Sequence, residues 1–205
     1  MSATDAPCPE TFNLAAHVLA KAACLGDKTA LQIVGADEAE YSYLWLEAAV
    51  RGCGTLLLGQ GLQQGDRVLM RLGNTPAFPV LFLAAIAVGL VPIPTSAALT
   101  TAEVTLLSQA VLPALIVTEP GIAIPETACP ILQADQVLAA ATLPPCDYAM
   151  GDPERLGYII FTSGTSGRAL PVAHAHRAIL ARHMMHDAWE GLGQDDRLLH
   201  AGAFN

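Results

Sequence analysis

Apolar positions along the chain switch repeatedly between a helical and a strand-like period. From Leu14 to Cys24 they recur with the spacing of an amphipathic helix, with Asn13 placed as N-cap and Gly26 as its stop. Ala30 to Val34 reads as a strand, and Leu44 to Leu58 as a second helix that ends near Gly59 and Gly61. Val68 to Leu72 is a strand, Pro76 to Val88 a helix with proline in its first turn, and Leu90 to Pro94 a strand. Thr101 to Ala110 predicts a helix, Ala114 to Val117 a strand, and Ile131 to Leu132 a short one. Leu143 to Cys146, with its two prolines, reads as a surface connection. Ile159 to Phe161 is a strand, Ala178 to Trp189 a helix, and Arg197 to His200 the last strand. Strands separated by helices of this length build βαβ units, so the expected fold class is α/β, a mostly parallel sheet flanked by helices. Ligands of such sheets sit beyond the carboxyl ends of the strands.

One segment tests that reading. No charge lies between Thr75 and Ala102, and Phe78 to Val91 is strongly apolar. A membrane span needs about 20 uninterrupted apolar helical residues. Pro76, Pro79, Gly89, Pro92 and Pro94 interrupt this one. A buried helix followed by a buried strand is the better account.

The most informative stretch runs from Tyr158 to His176. An apolar strand (Tyr158, Ile159, Ile160, Phe161) empties into Thr162, Ser163, Gly164, Thr165, Ser166 and Gly167. Small residues suit a backbone that turns sharply and approaches something closely. Successive N–H groups in such a turn form an anion-binding nest, to which hydroxyls add donors. The composition fits a phosphate-cradling loop, although on composition alone a plain surface turn is the commoner outcome. It is not a Walker A loop, because no Gly-Lys-Ser/Thr closes it.

The same residues, followed by His174 and His176, resemble the phosphate-loop signature of the adenylate-forming superfamily, which includes acyl-CoA synthetases, aryl-CoA ligases and peptide-synthetase adenylation domains. Other segments share the likeness. They are Tyr41-Ser42-Tyr43-x-x-Leu46, Gly61-x-x-x-Gly65-Asp66-Arg67-Val68 with Asn74, and Gly89-Leu90-Val91-Pro92-Ile93-Pro94 with Glu103. The resemblance runs from about Phe12 to Asn205 and is nearest to benzoate-CoA ligase-like enzymes. It implies the first part of a large N-terminal ATP-binding domain. The remainder of that domain and a C-terminal lid domain would lie downstream, so residues 1–205 are expected to be a partial domain, inactive alone.

The resemblance further implies an acid–thiol ligase that uses ATP, Mg2+ and coenzyme A. A small-molecule carboxylic acid becomes an acyl-adenylate, and the thiol then displaces AMP. Thr162, Ser163, Gly164, Thr165, Ser166, Gly167 and Arg168 would contact the ATP phosphates, each charge-assisted bond contributing roughly 1.5–3 kcal/mol. Phe204 and Asn205 would line the acyl pocket, and His174 and His176 would lie near the nucleotide. No residue here is assigned as catalytic and none as a metal ligand, since His174 and His176 running into a helix with His183 and His186 do not set out a tetrahedral site. His183 and His186, at helical spacing, read as a solvated face. Asp152, Glu154 and Arg155 form a charged patch with no chemistry assigned, and Gly65-Asp66-Arg67 a turn before a strand.

One departure matters. Where the family pattern places a lysine after the loop, this chain has Leu170, two residues beyond Arg168. Either a phosphate contact is lost, or Arg168, on the same side of an extended arm, supplies the charge. The loss favours an alternative, a non-catalytic module with the adenylation fold. A carrier-protein-loading adenylation domain is the other alternative.

Composition adds limits. The hydrophobic fraction of 53% against 14% charged residues suits a piece of a larger body. A net charge of −9 without a basic cluster argues against a nucleic-acid partner. Cys8, Cys24, Cys53, Cys129 and Cys146 lack C-x-x-C spacing and read as reduced thiols of a cytoplasmic protein. The first dozen residues have no basic segment of a secretory signal. A homodimer is compatible with these features.

Overall fold

The computed structural model describes residues 8–35, 38–163, 169–185, 191–193, 195–200 and 202–203; of Ser163 and Met184 it describes the backbone alone. The expected helices at 178–189 and strand at 197–200 therefore fall partly or wholly within it, while Gly164 to Arg168, His186, Phe204 and Asn205 lie outside the described residues.

The elements in order are α1 (Leu14–Leu19), α2 (Ala22–Leu25), β1 (Thr29–Ile33), β2 (Ala39–Ser42), α3 (Tyr43–Gly59), β3 (Arg67–Arg71) and α4 (Ala77–Ala87). There follow β4 (Val91–Pro94), α5 (Thr101–Val111), β5 (Leu115–Thr118), β6 (Ile131–Gln133) and α6 (Ala134–Ala139). The last are β7 (Leu156–Ser163), β8 (Ala169–Ala175) and α7 (Ala178–Met185).

The centre is a four-stranded sheet of order β4-β3-β5-β6, parallel throughout. Alternation along β3 divides its side chains between two cores. Val68 and Met70 join Leu115 and Val117 against α3 and α4, whereas Leu69 joins Ile93, Ile116, Val104 and Ile159 on the opposite face. Both faces are covered, which is why β3, β4 and β5 read as continuous apolar runs rather than alternating ones.

Helix α4 (A-F-P-V-L-F-L-A-A-I-A) is apolar all round, and eight of its residues are buried. Its uncharged sequence reflects burial by α3 and the sheet, as expected. No helix among the described residues is long and apolar enough to cross a membrane. Helix α4 stops at Gly89, whose φ of 78° lets Leu90 N–H return to Ala85 O at 2.8 Å and turns the chain into β4. Thr100 and Glu103 form a capping box at the start of α5, which accounts for the acidic residue singled out in that helix.

Four expectations need correction. The helix expected from Leu14 to Cys24 is two pieces, interrupted at Ala20 and Lys21. Neither residue is a helix breaker, so the interruption is set by packing. Arg197 to His200 is not a strand: Leu198 and Leu199 are 76% and 78% exposed, and no described strand offers the segment a ladder. The connection at Leu143 to Cys146 is exposed only as far as Pro145; Cys146 is buried, its N–H donates to Arg51 O, and its carbonyl accepts from Arg51 Nε. Finally, β7 is not a member of the parallel sheet. It pairs antiparallel with β8, and the ladder takes up its hydrogen bonds there.

Candidate functional site

Strands β7 and β8 form a hairpin with register Tyr158↔His174, Ile160↔Val172, Thr162↔Leu170 and Ser163↔Ala169. Of the small residues, Thr162 and Ser163 therefore lie at the end of β7, paired with Leu170 and Ala169 of β8. Period two assigns the faces. Ile159 is buried in the second core and Phe161 packs against it, which fixes the hairpin to the sheet. On the other face Tyr158 stacks on His174, with ring centroids 4.6 Å apart and planes 7° from parallel, and meets Phe82 of α4 at 5.5 Å. Thr162 is exposed near the turn, and Leu170 opposite it is 55% exposed.

The base of the hairpin is held more firmly. His176 is fully buried, and its Nδ1 accepts the N–H of Leu14 at 3.2 Å. An accepting Nδ1 puts the proton of the neutral ring on Nε2, which has no hydrogen-bond partner among the described residues. Burial, with the Arg155 guanidinium nearby, pushes the His176 pKa down to about 4. Strand β8, Ala169–Ala175, separates His176 from the start of that strand by roughly 20 Å. Its surroundings are thus α1 and the hairpin base.

Arg155, assigned no chemistry from the sequence, is a clamp. Its Nη1 donates to Phe12 O (2.6 Å) and Asp152 O (2.8 Å), and its Nη2 to Ala149 O (2.6 Å). Beside it Asn13 both caps and braces. Its Oδ1 accepts from Ala15 N (2.9 Å) and Ala16 N (3.2 Å), while its Nδ2 donates to Ile86, Ala87 and Ala149 carbonyls. An amide has both roles available, which an aspartate cap would not. The sequence signalled the cap and concealed the brace. The ring of His183 meets that of His17 at 6.0 Å, so this exposed histidine is not simply solvated.

A second polar constellation lies at the carboxyl ends of the parallel strands. With order β4-β3-β5-β6, the chain runs from β3 to one neighbour, then crosses to the other, so the switch point lies between β3 and β5. Arg71 ends β3 with no solvent exposure. Its guanidinium donates to Ala123 O (2.8 Å), Thr95 Oγ1 (3.1 Å), Ser96 O, Ala97 O (3.4 Å) and Leu99 O (3.1 Å). Burial lowers its pKa from the ordinary arginine value. Glu119, just past β5, accepts from Gly73 N (3.0 Å) and from the Thr75 hydroxyl, and Asn74 Nδ2 between them donates to Gly202 O (2.6 Å). Arg71 and Glu119 escaped the sequence reading. An arginine inside the apolar run R-V-L-M-R was the available signal.

A separate surface cavity of about 500 Å3 is lined by Asp27, Thr29, Glu40, Tyr41, Ser42 and Trp45 and shares no residue with either constellation. Among the described residues no group of three or more His, Cys, Asp or Glu side chains could hold a metal ion.

The chain resembles known proteins throughout this architecture. It is 25% identical to 3-hydroxybenzoate–CoA/4-hydroxybenzoate–CoA ligase of Thauera aromatica over 92% of its length and 40% of the relative's. It is 30% identical to p-hydroxybenzoic acid–AMP ligase FadD22 of Mycobacterium tuberculosis over 60% of its length and 18% of the relative's. The chain thus spans two fifths or less of these relatives. Among solved structures, acetoacetyl-CoA synthetase from Streptomyces lividans superposes with a TM-score of 0.81 at 23% identity, covering 95% of this chain and 35% of that one. A benzoate CoA ligase from Burkholderia xenovorans LB400 gives 0.73 at 18% identity, covering 87% and 37%. These two establish the likeness of fold. The model of the AMP-binding enzyme family matches residues 19–204, nearly the whole described chain, and the chain belongs to that family.

Proposed function

We propose that residues 1–205 are the first part of the ATP-binding N-terminal domain of an acid–thiol ligase, the rest of that domain and a lid domain following them. The protein as a whole activates a small carboxylic acid with ATP. A carboxylate oxygen attacks the α-phosphorus, the bond to the bridging oxygen of pyrophosphate breaks, and the coenzyme A thiol then displaces AMP. The observation that carries this reading is the hairpin itself. Its base is fixed by Arg155, His176 and Ile159, and the sequence that joins its two strands contains the Gly, Ser and Thr residues that resemble the family's phosphate loop.

In this reading Thr162, Ser163, Gly164, Thr165, Ser166, Gly167 and Arg168 grip the β- and γ-phosphates, and Phe204 with Asn205 touches the acid. His174 and His176 act from the hairpin base, keeping its direction. An anionic tail held on backbone amides and hydroxyls needs a fixed frame, since each donor contributes only if it is already aimed. Mg2+ accompanying the nucleotide neutralises phosphate charge when bound; the described residues offer no side-chain cage for it. The free thiols Cys8, Cys24, Cys53, Cys129 and Cys146 fit a cytoplasmic protein.

One observation favours a second reading. Leu170, where the family pattern has lysine, is exposed rather than packed, so nothing in the core requires an apolar residue there. A non-catalytic module of the same fold accommodates that substitution. ATP–pyrophosphate exchange by the complete polypeptide, measured over a panel of aromatic and aliphatic acids with coenzyme A or a carrier protein as acceptor, separates the readings. Acid-dependent exchange supports the ligase, and its absence across the panel supports the module.

A further inference from the structure

Strand β2 runs into helix α3 without a loop, and the surface is hollow at that joint. Ser42, the last residue of β2, is the N-cap of α3, and its Oγ accepts from Trp45 N at 3.1 Å. The ring of Tyr41, just before the cap, meets that of Trp45, just after it, with centroids 4.2 Å apart and planes 39° from parallel. Pairing of β1 with β2 sets Thr29 opposite Ser42, and the Thr29 hydroxyl lies 3.4 Å from Glu40 Oε2. Asp27, exposed just before β1, completes the lining of the cavity of about 500 Å3 that these residues share.

A cavity of that volume takes a small molecule, and its lining selects the sign of the charge. A helix N-terminus ordinarily favours an anion. Here the first three amides of α3 are already occupied: Tyr43 N donates to Lys28 O at 3.0 Å, Leu44 N to Gly26 O at 3.2 Å, and Trp45 N to Ser42 Oγ. None of the lining residues is basic, while Asp27 and Glu40 bring carboxylates and Tyr41 and Trp45 bring aromatic rings. Carboxylates supply counter-charge and acceptors, and the faces of Trp and Tyr attract a cation through their negative quadrupole. An anion would meet like charge and spent donors. A bare metal ion fits less well, because no group of three or more His, Cys, Asp or Glu gathers among the described residues. We infer that this cavity binds a small organic cation with an ammonium head, Asp27 and Glu40 facing its charge and Tyr41 and Trp45 forming its aromatic wall. The site shares no residue with the hairpin or with the cluster around Arg71, so it stands apart from the ligase reading.

Fluorine NMR of the complete polypeptide labelled with fluorotryptophan tests this, the Trp45 resonance being identified by its loss in Trp45→Phe. The probes are tetramethylammonium chloride and butylammonium chloride, the second adding N–H donors for the carboxylates. A saturable shift of the Trp45 resonance with either is expected, and none with sodium phosphate at equal ionic strength. Asp27→Asn combined with Glu40→Gln should weaken the binding about five- to tenfold, as loss of two exposed charge contacts entails. Asp27 and Glu40 are both exposed, so the double variant is expected to fold as the wild type does. Absence of a saturable shift with both ammonium salts overturns the inference, and so does an equal response to phosphate. Binding undiminished in the double variant overturns it as well, since the carboxylates would then not face the ligand. The readout involves no acid, ATP or coenzyme A, so a polypeptide without ligase activity fails the ligase reading and leaves this test intact.

Discussion

The imidazole Nδ1 of His176 accepts the backbone N–H of Leu14 at 3.2 Å, joining the hairpin base to the first helix across 162 residues of sequence. That bond exists only with a neutral ring. In the unfolded chain His176 titrates near 6.5, and in the folded protein burial and Arg155 lower this to about 4. The unfolded state therefore binds a proton more readily between those values, so stability from this group is complete above pH 6.5. It declines as pH falls towards 4, where the native protein protonates as well. The loss over that window is on the order of 3 kcal/mol. Urea titrations at several pH values should show the decline, and His176→Gln should remove most of it. His17, lowered by burial and by His183, leaves a residual slope of the same sign. Identical slopes in the two proteins would show that His176 does not control it.

Arg71 should be among the least replaceable side chains away from the hairpin. Its fork serves five oxygen acceptors, four of them backbone carbonyls, from residues 95–99 and 123. Arg71→Met fits the space approximately but strands those acceptors, and Arg71→Lys brings one ammonium to a fan of partners. Each should lose about 3 kcal/mol or more, the lysine less than the methionine. Chemical denaturation of both variants checks the order. A methionine variant as stable as the wild type would mean that the carbonyls reach water.

Much of the central sheet was legible because burial on both faces writes itself as uninterrupted apolar runs. Val68 to Leu72, Leu90 to Pro94 and Ala114 to Val117 were each found within about one residue of the strands. Strand β8 was missed. Its sequence A-L-P-V-A-H-A has weak strand preference and a proline, and it is extended only because β7 supplies a ladder. Helix α6 was missed for another reason. Its capping box is made by Gln133 and Gln136, outside the usual N-cap residues. At the candidate site the turn residues were visible as chemistry and Asn13 as a cap, whereas the Arg155 clamp and the Asn13 brace became visible only through their partners, which lie up to 143 residues away. Side chains whose role is to satisfy distant carbonyls leave no local pattern.

Helix α3 offers a paired test of close packing. A Cβ on Gly52 would stand 2.0 Å from Ala140 O, and one on Gly54 2.4 Å from Cys146 Sγ and 2.9 Å from Val88 Cγ1. A Cβ on Gly59, at the end of the same helix, meets nothing within 4 Å. Gly52→Ala should destabilise by about 1–3 kcal/mol, because the obstacle is backbone. Gly59→Ala should be neutral or stabilise by up to about 1 kcal/mol through helix preference. Thermal melts of the two variants give the comparison, and a Gly52→Ala protein as stable as Gly59→Ala would deny the contact.

The last prediction concerns the residue that the loop lacks. The register sets Leu170 opposite Thr162, immediately behind the turn, and its 55% exposure leaves room for a charged side chain without repacking. If phosphate is held at this turn, Leu170→Lys should lower the KM for ATP in the complete polypeptide while leaving the melting temperature unchanged. If Arg168 already supplies the charge, Arg168→Ala should reduce ATP–pyrophosphate exchange by about ten- to a hundredfold, the span of one charge-assisted bond. The double variant should then recover a large part of the loss, since lysine at 170 restores a cation to the same end of the hairpin. Exchange unaffected by Arg168→Ala removes that arginine from the mechanism. Should Leu170→Lys also have no effect on ATP binding, no cation beside the turn is needed, and the amides and hydroxyls of residues 162–167 must hold the phosphates alone.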